Sequence, residues 1–259
     1  MGQEIEYKKT RGRPRTADRS KPGGSVQSLD RAFGLLKQLA ISDEATLTDL
    51  ALRTGMAPST AHRLLTTMES HGIVSFDEAT QNWMVGVEAF RAGSSFIKRT
   101  NVVDVGRVVM HDLMKATGET ANLAIADDGE VVFISQVDTH EAIRAFFPSG
   151  SRGPLHASGI GKALLSEMSR EAVERILQQR GLGTFTHKTL TTPKALFADL
   201  EQIRERGWSV DDEERNVGMR CLASAIYNTF GEAIAGVSIS GPTVRLTARL
   251  LVFDFLSQP

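Results

Sequence analysis

Apolar residues recur at helical spacing on both sides of a glycine near position 55, which predicts two short helices joined by a tight turn. Gly55 provides the backbone freedom that a sharp turn requires. The second helix is predicted over Pro58–Ser70, because proline suits the first helical turn, and we expect Ser59 and Thr60 to cap it. The apolar positions of the first helix are Leu47, Leu50 and Ala51.

The second helix has one apolar side and one polar side. The spacing predicts that four residues are buried, namely Ala61, Leu64, Leu65 and Met68. The opposite side presents hydroxyls, an imidazole and a guanidinium, carried by Ser59, Thr60, His62, Arg63, Thr66 and Thr67. Such groups suit phosphate oxygens and base edges, although an isolated helix of this kind is more often an ordinary surface helix.

The segment after this helix decides between the two interpretations. Ile73–Phe76 and Asn82–Val85 have the composition of short strands, and the polar residues Asp77–Gln81 join them. Helix, turn, helix and hairpin in this order predict a winged helix-turn-helix, which places its second helix in the DNA major groove. The hairpin tip is acidic, so we expect any wing contact with DNA to come from Gln81 and Asn82.

A further helix is predicted before the motif, over about Val26–Ala40. Its apolar stripe is predicted to consist of Val26, Leu29, Phe33, Leu36 and Ala40, widened by Leu35 and Leu39. This stripe is wider than a small domain needs, so we expect the helix also to pair with a second copy. The DNA-binding domain is thus predicted over residues 25–86, followed by a linker helix over 87–101.

Beyond residue 101 helices and strands alternate, which predicts an α+β domain over 102–259 with an antiparallel sheet. Asp127, Asp128 and Gly129 are a strong hairpin signal. Strands are predicted over Ala121–Ala126, Val131–Val137, Ala142–Phe147, Leu222–Asn228 and Ala233–Ser240. Helices are predicted over Val103–Ala116, Gly161–Glu167, Arg170–Gln179 and Pro193–Arg206, with a terminal one from about Val244.

The charge is unevenly divided along the chain. Residues 1–100 hold 14 basic and 11 acidic groups, net +3, and residues 101–259 hold 16 and 20, net −4, within the overall charge of −1. Such asymmetry is expected when one half contacts nucleic acid. With 41% hydrophobic residues, one cysteine and no apolar run near the roughly 18 residues of a membrane span, we expect a cytoplasmic protein without disulfide or structural zinc.

Residues 1–24 form a basic segment that we expect to be disordered when free, because it has almost no large apolar residue. Within it, Arg11, Arg13 and Arg15 alternate with Gly12 and Pro14. This string resembles an AT-hook, in which arginines follow the narrow minor groove. A solvated tail that binds polyanions without preference is the simpler alternative.

Three clusters of small hydrogen-bonding residues stand out in the C-terminal half, at 155–162, 211–221 and 238–242. The first begins a helix whose free N–H groups attract anions, but it departs from a P-loop at His156 and Ala163. On a strand, Ser238 and Ser240 point to the same side, and Gly236 is expected to leave room above them. Taken singly, the clusters are typical of a helix start, a solvated acidic turn and a strand end.

The three clusters together resemble the effector-domain motifs of IclR-type bacterial transcription regulators. The matching stretches are Leu155–Ser166, Gly207–Ala223 and Ala233–Pro242, and the helix-turn-helix with Ser59, Thr60 and Arg63 fits the same family. The resemblance covers residues 25–257 and implies a winged helix, a linker helix, a GAF-like effector domain and a dimer or a dimer of dimers. It implies effector contacts at Gly159, Ile160, Asp211, Cys221, Ser238 and Ser240, with glyoxylate as the first candidate effector.

The chemistry of these residues also suits a small anion such as glyoxylate or pyruvate. Backbone N–H groups at Gly159 and Ile160 can hold a carboxylate without any Arg or Lys, while hydroxyls and a thiol surround a carbonyl. Asp211 fits only if it accepts a hydrogen bond from a hydrated carbonyl. An aromatic acid is the alternative, since four residues are available to line a wider pocket, namely Phe133, Phe146, Phe147 and Met219.

The sequence is less consistent with two other classes of protein. Cys221, His156 and Asp211 would form the nucleophile, base and orienting acid of a hydrolase, but no neighbouring residue activates the thiol. A purely architectural DNA binder would leave the C-terminal half without a role. We therefore expect a regulator that binds an operator and a small carboxylate, and not an enzyme; no cofactor is expected.

Overall fold

The computed structural model describes residues 26–100 and 102–247, without the side chains of 97–100. Contacts along the chain divide it between Phe96 and Ile97 into two compact units. The predicted basic tail, its three arginines and most of the predicted terminal helix lie outside the described residues. The described part of that last segment, Thr243–Leu246, forms turns and a bend.

The first unit is a three-helix core with a small sheet. Its elements are α1 (Gln27–Ser42), β1 (Glu44–Thr46), α2 (Leu47–Thr54), α3 (Pro58–Ser70), β2 (Val74–Asp77), β3 (Asn82–Val85) and most of α4 (Val87–Thr100). The strands are antiparallel in the order β1-β3-β2, with Phe76 opposite Trp83. β1 was not predicted, because three residues are too few to show a strand period.

The turn between α2 and α3 forms as the sequence indicates. Gly55 adopts a left-handed conformation, with φ +64°, and its N–H donates to the end of α2. The bounds of α3 match the prediction, but its N-cap is Ala57, which makes no side-chain cap. Ser59 and Thr60 do not cap α3, contrary to expectation, because they follow Pro58 and so lie inside the first turn.

The predicted core face of α1 is confirmed at Leu35, Leu36 and Leu39 and wrong at the other positions. Leu35 and Leu39 are fully buried, whereas Val26, Leu29 and Phe33 are 63%, 53% and 52% exposed. The helix carries two apolar stripes, and the packing of the domain, which the spacing alone does not reveal, selects the stripe of Leu35 and Leu39. The other stripe remains open on the surface.

The second unit is α+β with one antiparallel sheet, as predicted. The elements are α5 (Val102–Thr117), β4 (Thr120–Asp127), β5 (Glu130–Val137), β6 (Arg152–Pro154), α6 (Gly159–Ser166), α7 (Arg170–Arg180), α8 (Pro193–Arg206), β7 (Ser209–Asp212), β8 (Met219–Tyr227) and β9 (Ala233–Pro242). The sheet order is β6-β5-β4-β9-β8-β7. Asp128 and Gly129, with φ +48° and +75°, make the tight β4–β5 turn.

Helices cover this sheet on two sides. Neighbouring residues of β5, Phe133 and Ile134, contribute to different buried clusters, as side chains pointing to opposite faces do. One cluster includes Met110 of α5, and the other includes Ile160 of α6 and Leu200 of α8. The start of α6 is therefore held directly over the sheet.

One prediction about this unit is wrong, and a second holds only in part. Ala142–Phe147 is not a strand, because the edge of β5 is already bonded: Phe133 N donates to Ser151 O at 3.0 Å, and β6 pairs beyond it. The acidic turn is solvated only in part, because its first residues form β7 and because Asp211 and Glu214 are buried, while Asp212 remains partly exposed.

Candidate functional site

The polar side of α3 is open to solvent. Ala61, Leu65 and Met68 are buried, while Leu64 is only half-buried. Thr60 is half-buried, and the other five candidate DNA-binding residues are exposed: Ser59, His62, Arg63, Thr66 and Thr67. The helix thus presents the predicted set of side chains on one surface.

The side chains of this surface differ in the contacts that they make within the chain. Thr67 Oγ1 donates to Arg63 O at 2.8 Å, so its proton is used within the helix. His62 lies against Trp83 of the wing with ring centroids 6.4 Å apart. In contrast, the side chains of Ser59, Arg63 and Thr66 make no hydrogen bond or ion pair with the described part of the chain, which leaves them available to a ligand.

The effector candidates come together in the second unit around a cavity of about 150 Å³. Ile160, Asp211, Cys221 and Ser238 line it. Strand register explains the arrangement, since Asp211 lies opposite Cys221 and Cys221 lies opposite Ser240 across β7, β8 and β9. Residues in one such row point to the same face of the sheet.

Gly159 and Ser240 lie just behind the cavity wall. A Cβ on Gly159 would stand 3.2 Å from the Cβ of Cys221, so this glycine allows α6 to approach β8 closely. The expected space above Gly236 is filled, because a Cβ there would lie 2.6 Å from Ile160 Cγ2. The ligand space is therefore smaller than the small residues of β9 suggest.

A buried amide that sequence reasoning missed organises the two serines. Asn122 Nδ2 donates to Ser240 Oγ at 3.1 Å and to Ser238 Oγ at 3.4 Å. Ser240 Oγ is also hydrogen-bonded to Cys221 Sγ. Asn122 is fully buried in β4, and its only signal in the sequence is a lone amide within an apolar strand.

The start of α6 offers amide donors to the same cavity. Ser158 is the N-cap, and its Oγ accepts from Gly161 N at 3.3 Å. The N–H groups of Gly159 and Ile160 have no partner within the helix, as at any helix start. Of this helix start, Ser158 and Ile160 line the cavity together with Ser238. Uncharged hydrogen-bonding groups of this kind suit a carboxylate or a carbonyl.

Burial shifts the pKa values of the ionisable groups around the site. Burial raises the pKa of Asp211, although its Oδ1 accepts from Glu214 N at 2.7 Å. Enclosure raises the pKa of Cys221 to about 12, so the thiol is protonated at neutral pH. Burial lowers the pKa of His156, whose Nε2 is bonded to Gly183 O and not to the thiol. The hydrolase hypothesis therefore lacks both a thiolate and an adjacent base.

A buried ion cluster lies beneath Asp211. Lys162 of α6 is 1% exposed, and its Nζ lies 2.7 Å from Asp199 Oδ2 and 2.5 Å from Glu214 Oε1. Burial raises the pKa of Glu214 to about 7. The cluster joins α6, α8 and the turn after β7, and so fixes two walls of the cavity.

Arginine and aromatic side chains complete the lining. Arg152 and Arg215 both line the cavity, although no cation was predicted there. Phe133, Phe146 and Phe147 line it as expected for an aromatic ligand, whereas Met219 is absent from the lining. Phe133 and Phe147 stack with centroids 4.6 Å apart.

Within residues 26–100 and 102–247, no group of three or more His, Cys, Asp or Glu side chains could hold a metal ion. No helix in that part of the chain is long and apolar enough to cross a membrane.

Comparisons with known proteins agree with this arrangement. The model of the IclR helix-turn-helix domain matches residues 28–78, and that of the bacterial transcriptional regulator IclR C-terminal matches residues 94–253. The chain is 50% identical over 244 residues to the HTH-type transcriptional regulator BhcR of Paracoccus denitrificans, covering 93% of this chain and 88% of that protein.

Solved structures show the same likeness. The crystal structure of Thermotoga maritima IclR matches with a TM-score of 0.70 at 29% identity, over 86% of this chain and 90% of that one. An IclR homolog from Microbacterium hydrocarbonoxydans complexed with 4-hydroxybenzoate matches with a TM-score of 0.74 at 25% identity, over 83% and 89%.

The winged helix-turn-helix, the ligand-sized cavity of the second unit and the regulators that the chain matches define a ligand-responsive, DNA-binding transcription regulator and not an enzyme. Within that class, the chain belongs to the IclR family.

Proposed function

We propose that this regulator senses a small oxo-acid such as glyoxylate or pyruvate and thereby controls its binding to the operator of a metabolic operon in the cytoplasm. The observation that carries the proposal is the cavity of about 150 Å³ faced by Ser238, Cys221 and the start of α6. Drug-sized ligands occupy sites of about 300 Å³ or more, so this cavity favours a ligand of a few heavy atoms.

An aromatic acid is the second candidate effector. Phe133, Phe146 and Phe147 supply the apolar surface that an aromatic ring requires. A homologous regulator with this fold has been solved with 4-hydroxybenzoate. Because Phe146 is 65% exposed, its movement could enlarge the cavity.

The operator is contacted, in this proposal, by Ser59, Thr60, His62, Arg63, Thr66 and Thr67 of α3. We further propose that two chains pair through the exposed stripe of Val26, Leu29 and Phe33, because apolar patches on a surface mark interaction sites. Phe33→Ser is expected to lower the dimer fraction in sedimentation velocity while the fold is kept. An unchanged dimer would place the interface elsewhere.

The effector is tested by melting temperature in the presence of glyoxylate, pyruvate, 4-hydroxybenzoate and acetate, which lacks the carbonyl. We expect glyoxylate and pyruvate to raise the melting temperature and to alter a gel shift on the DNA beside the protein's own gene. A response to 4-hydroxybenzoate alone would support the aromatic alternative. No response to any of them would contradict both.

Ser238→Ala is the matched binding variant in this screen. It removes a hydroxyl that lines the cavity but leaves Asn122 its shorter bond to Ser240, at 3.1 Å. The response to glyoxylate is expected to shrink in this variant. Ser224→Ala, which removes a hydroxyl bonded to Gly207 O away from the cavity, is the control and should respond fully.

A further inference from the structure

The two arginines that line the cavity are in different electrostatic states. Arg152 is paired with Asp127, and its Nη1 lies 3.2 Å from Glu130 Oε2. Arg215 has no carboxylate within ion-pairing distance among the residues that the structure describes. The cavity wall therefore contains one compensated cation and one uncompensated cation.

The guanidinium of Arg215 is held in a defined place. Its Cζ lies over the ring of Phe185, 4.4 Å from the centroid. The guanidinium makes no hydrogen bond to another residue that the structure describes, so its N–H groups are available to a ligand. The Phe185 backbone is fixed in turn, since Phe185 N donates to Thr189 Oγ1 at 3.1 Å and that hydroxyl donates to Glu214 O at 2.6 Å. The loop that carries Phe185 is thus tied to the residue before Arg215.

The backbone of Arg215 is bonded to another residue that lines the cavity. Its N–H lies 3.4 Å from Asp211 Oδ1, which places the residue directly beside a proposed effector contact. In a cavity of about 150 Å³, a small ligand reaches several walls at once. A planar guanidinium with free N–H groups matches the two oxygens of a carboxylate.

We propose that Arg215 supplies the positive charge that pairs with the effector's carboxylate and thereby selects carboxylates over neutral carbonyl compounds. The inference deepens the proposed function and rests on it. In this account the amides at the start of α6 and the hydroxyl of Ser238 orient the ligand, and Arg215 contributes the charge. Phe185 is a positioning residue that reduces the cost of ordering the guanidinium.

The test is calorimetric titration of the full-length chain with glyoxylate and pyruvate, each compared with its uncharged amide. Arg215→Gln is expected to weaken binding of both acids by on the order of 10- to 100-fold and to leave the weak binding of the amides unchanged. Arg215→Lys should recover part of the affinity. Arg170→Gln is the matched control and should change acid binding less than about threefold, since that exposed arginine pairs with Glu174 and does not line the cavity.

Phe185→Leu provides a second measurement. It keeps an apolar side chain but removes the stacking surface, so acid binding should weaken by a few-fold, less than in Arg215→Gln. The melting temperature of each ligand-free variant shows whether the fold is kept.

The possible outcomes separate the two claims. If the wild-type chain binds the acids and Arg215→Gln binds them as tightly, the inference is wrong and the proposed function stands. If Arg215→Gln loses acid and amide binding together, or its melting temperature falls sharply, Arg215 is structural and the inference is again overturned. If the wild-type chain binds neither acid, the proposed function and the inference both fail.

Discussion

The two candidate sites of this protein are built in opposite ways. The side chains of α3 that are proposed to contact DNA are exposed, come from one helix and largely lack internal partners, as with Arg63. The effector candidates come from α6, β7, β8 and β9, lie around a partly enclosed cavity and bond to one another, as Ser240 does to Cys221. An open face can lose a side chain without harm to the fold, whereas the effector site combines binding with stability.

The largest expected effect tests whether the residues around the effector site also stabilise the fold. Lys162→Met should lower the free energy of unfolding by about 3 kcal/mol, because it leaves the buried Glu214 without a cation, while the half-buried Asp199 keeps Arg206 Nη2 at 3.7 Å. Urea unfolding measures the change. Lys115→Met, at an exposed position of α5, is the control and should stay within about 0.5 kcal/mol. A small effect of Lys162→Met would mean that the cluster does not hold the cavity walls.

The next effect concerns pH. Burial raises the pKa of Glu214 from 4.5 to about 7 in the folded chain, so the folded state keeps a proton that the unfolded state releases. The free energy of unfolding should therefore fall by on the order of 2–3 kcal/mol as the pH rises from about 4.5 to 7.

Glu214→Gln should remove this decrease in the free energy of unfolding with rising pH. His156, whose pKa is lowered by burial, contributes with the opposite sign below about pH 6.5, but it is common to both proteins and cancels in the difference. Parallel pH profiles for the two proteins in urea unfolding would show that Glu214 does not titrate in this range.

A smaller effect is expected on the open face. Arg63→Ala should weaken operator binding by about 1–3 kcal/mol and leave both stability and glyoxylate affinity unchanged, because its side chain has no partner in the described part of the chain. Fluorescence anisotropy on labelled DNA measures this loss. Arg91→Ala, which removes an exposed ion pair with Glu88, is the control. Equal losses in both variants would argue against α3 as the recognition helix.

The open face could be predicted from the sequence because its determinants are local. α3 and the turn before it are determined by residues that are close in sequence, namely Gly55, Pro58 and the regularly spaced apolar residues of the helix. The stripe on α1 was predicted too broadly, since Phe33 and Leu35 are both apolar and only the packing shows that Leu35 is buried and Phe33 is exposed.

The effector site around the cavity could be predicted only in part. Family resemblance indicated Asp211, Cys221, Ser238 and Ser240, but the strand order that brings them together depends on long-range pairing. Asn122 and Arg215 were missed for the same reason, because neither carries a local signal of its neighbours. The segment 142–147 has the composition of a strand and yet lies beside an edge that other residues occupy.

The central claim is that the two sites form one switch, and reciprocity of binding tests it most directly. Operator affinity is measured with and without saturating glyoxylate, and glyoxylate affinity with and without saturating operator. The account predicts that both affinities change by the same factor, on the order of 5- to 150-fold, because coupling between two sites is reciprocal. Tight glyoxylate binding with unchanged operator affinity would contradict it.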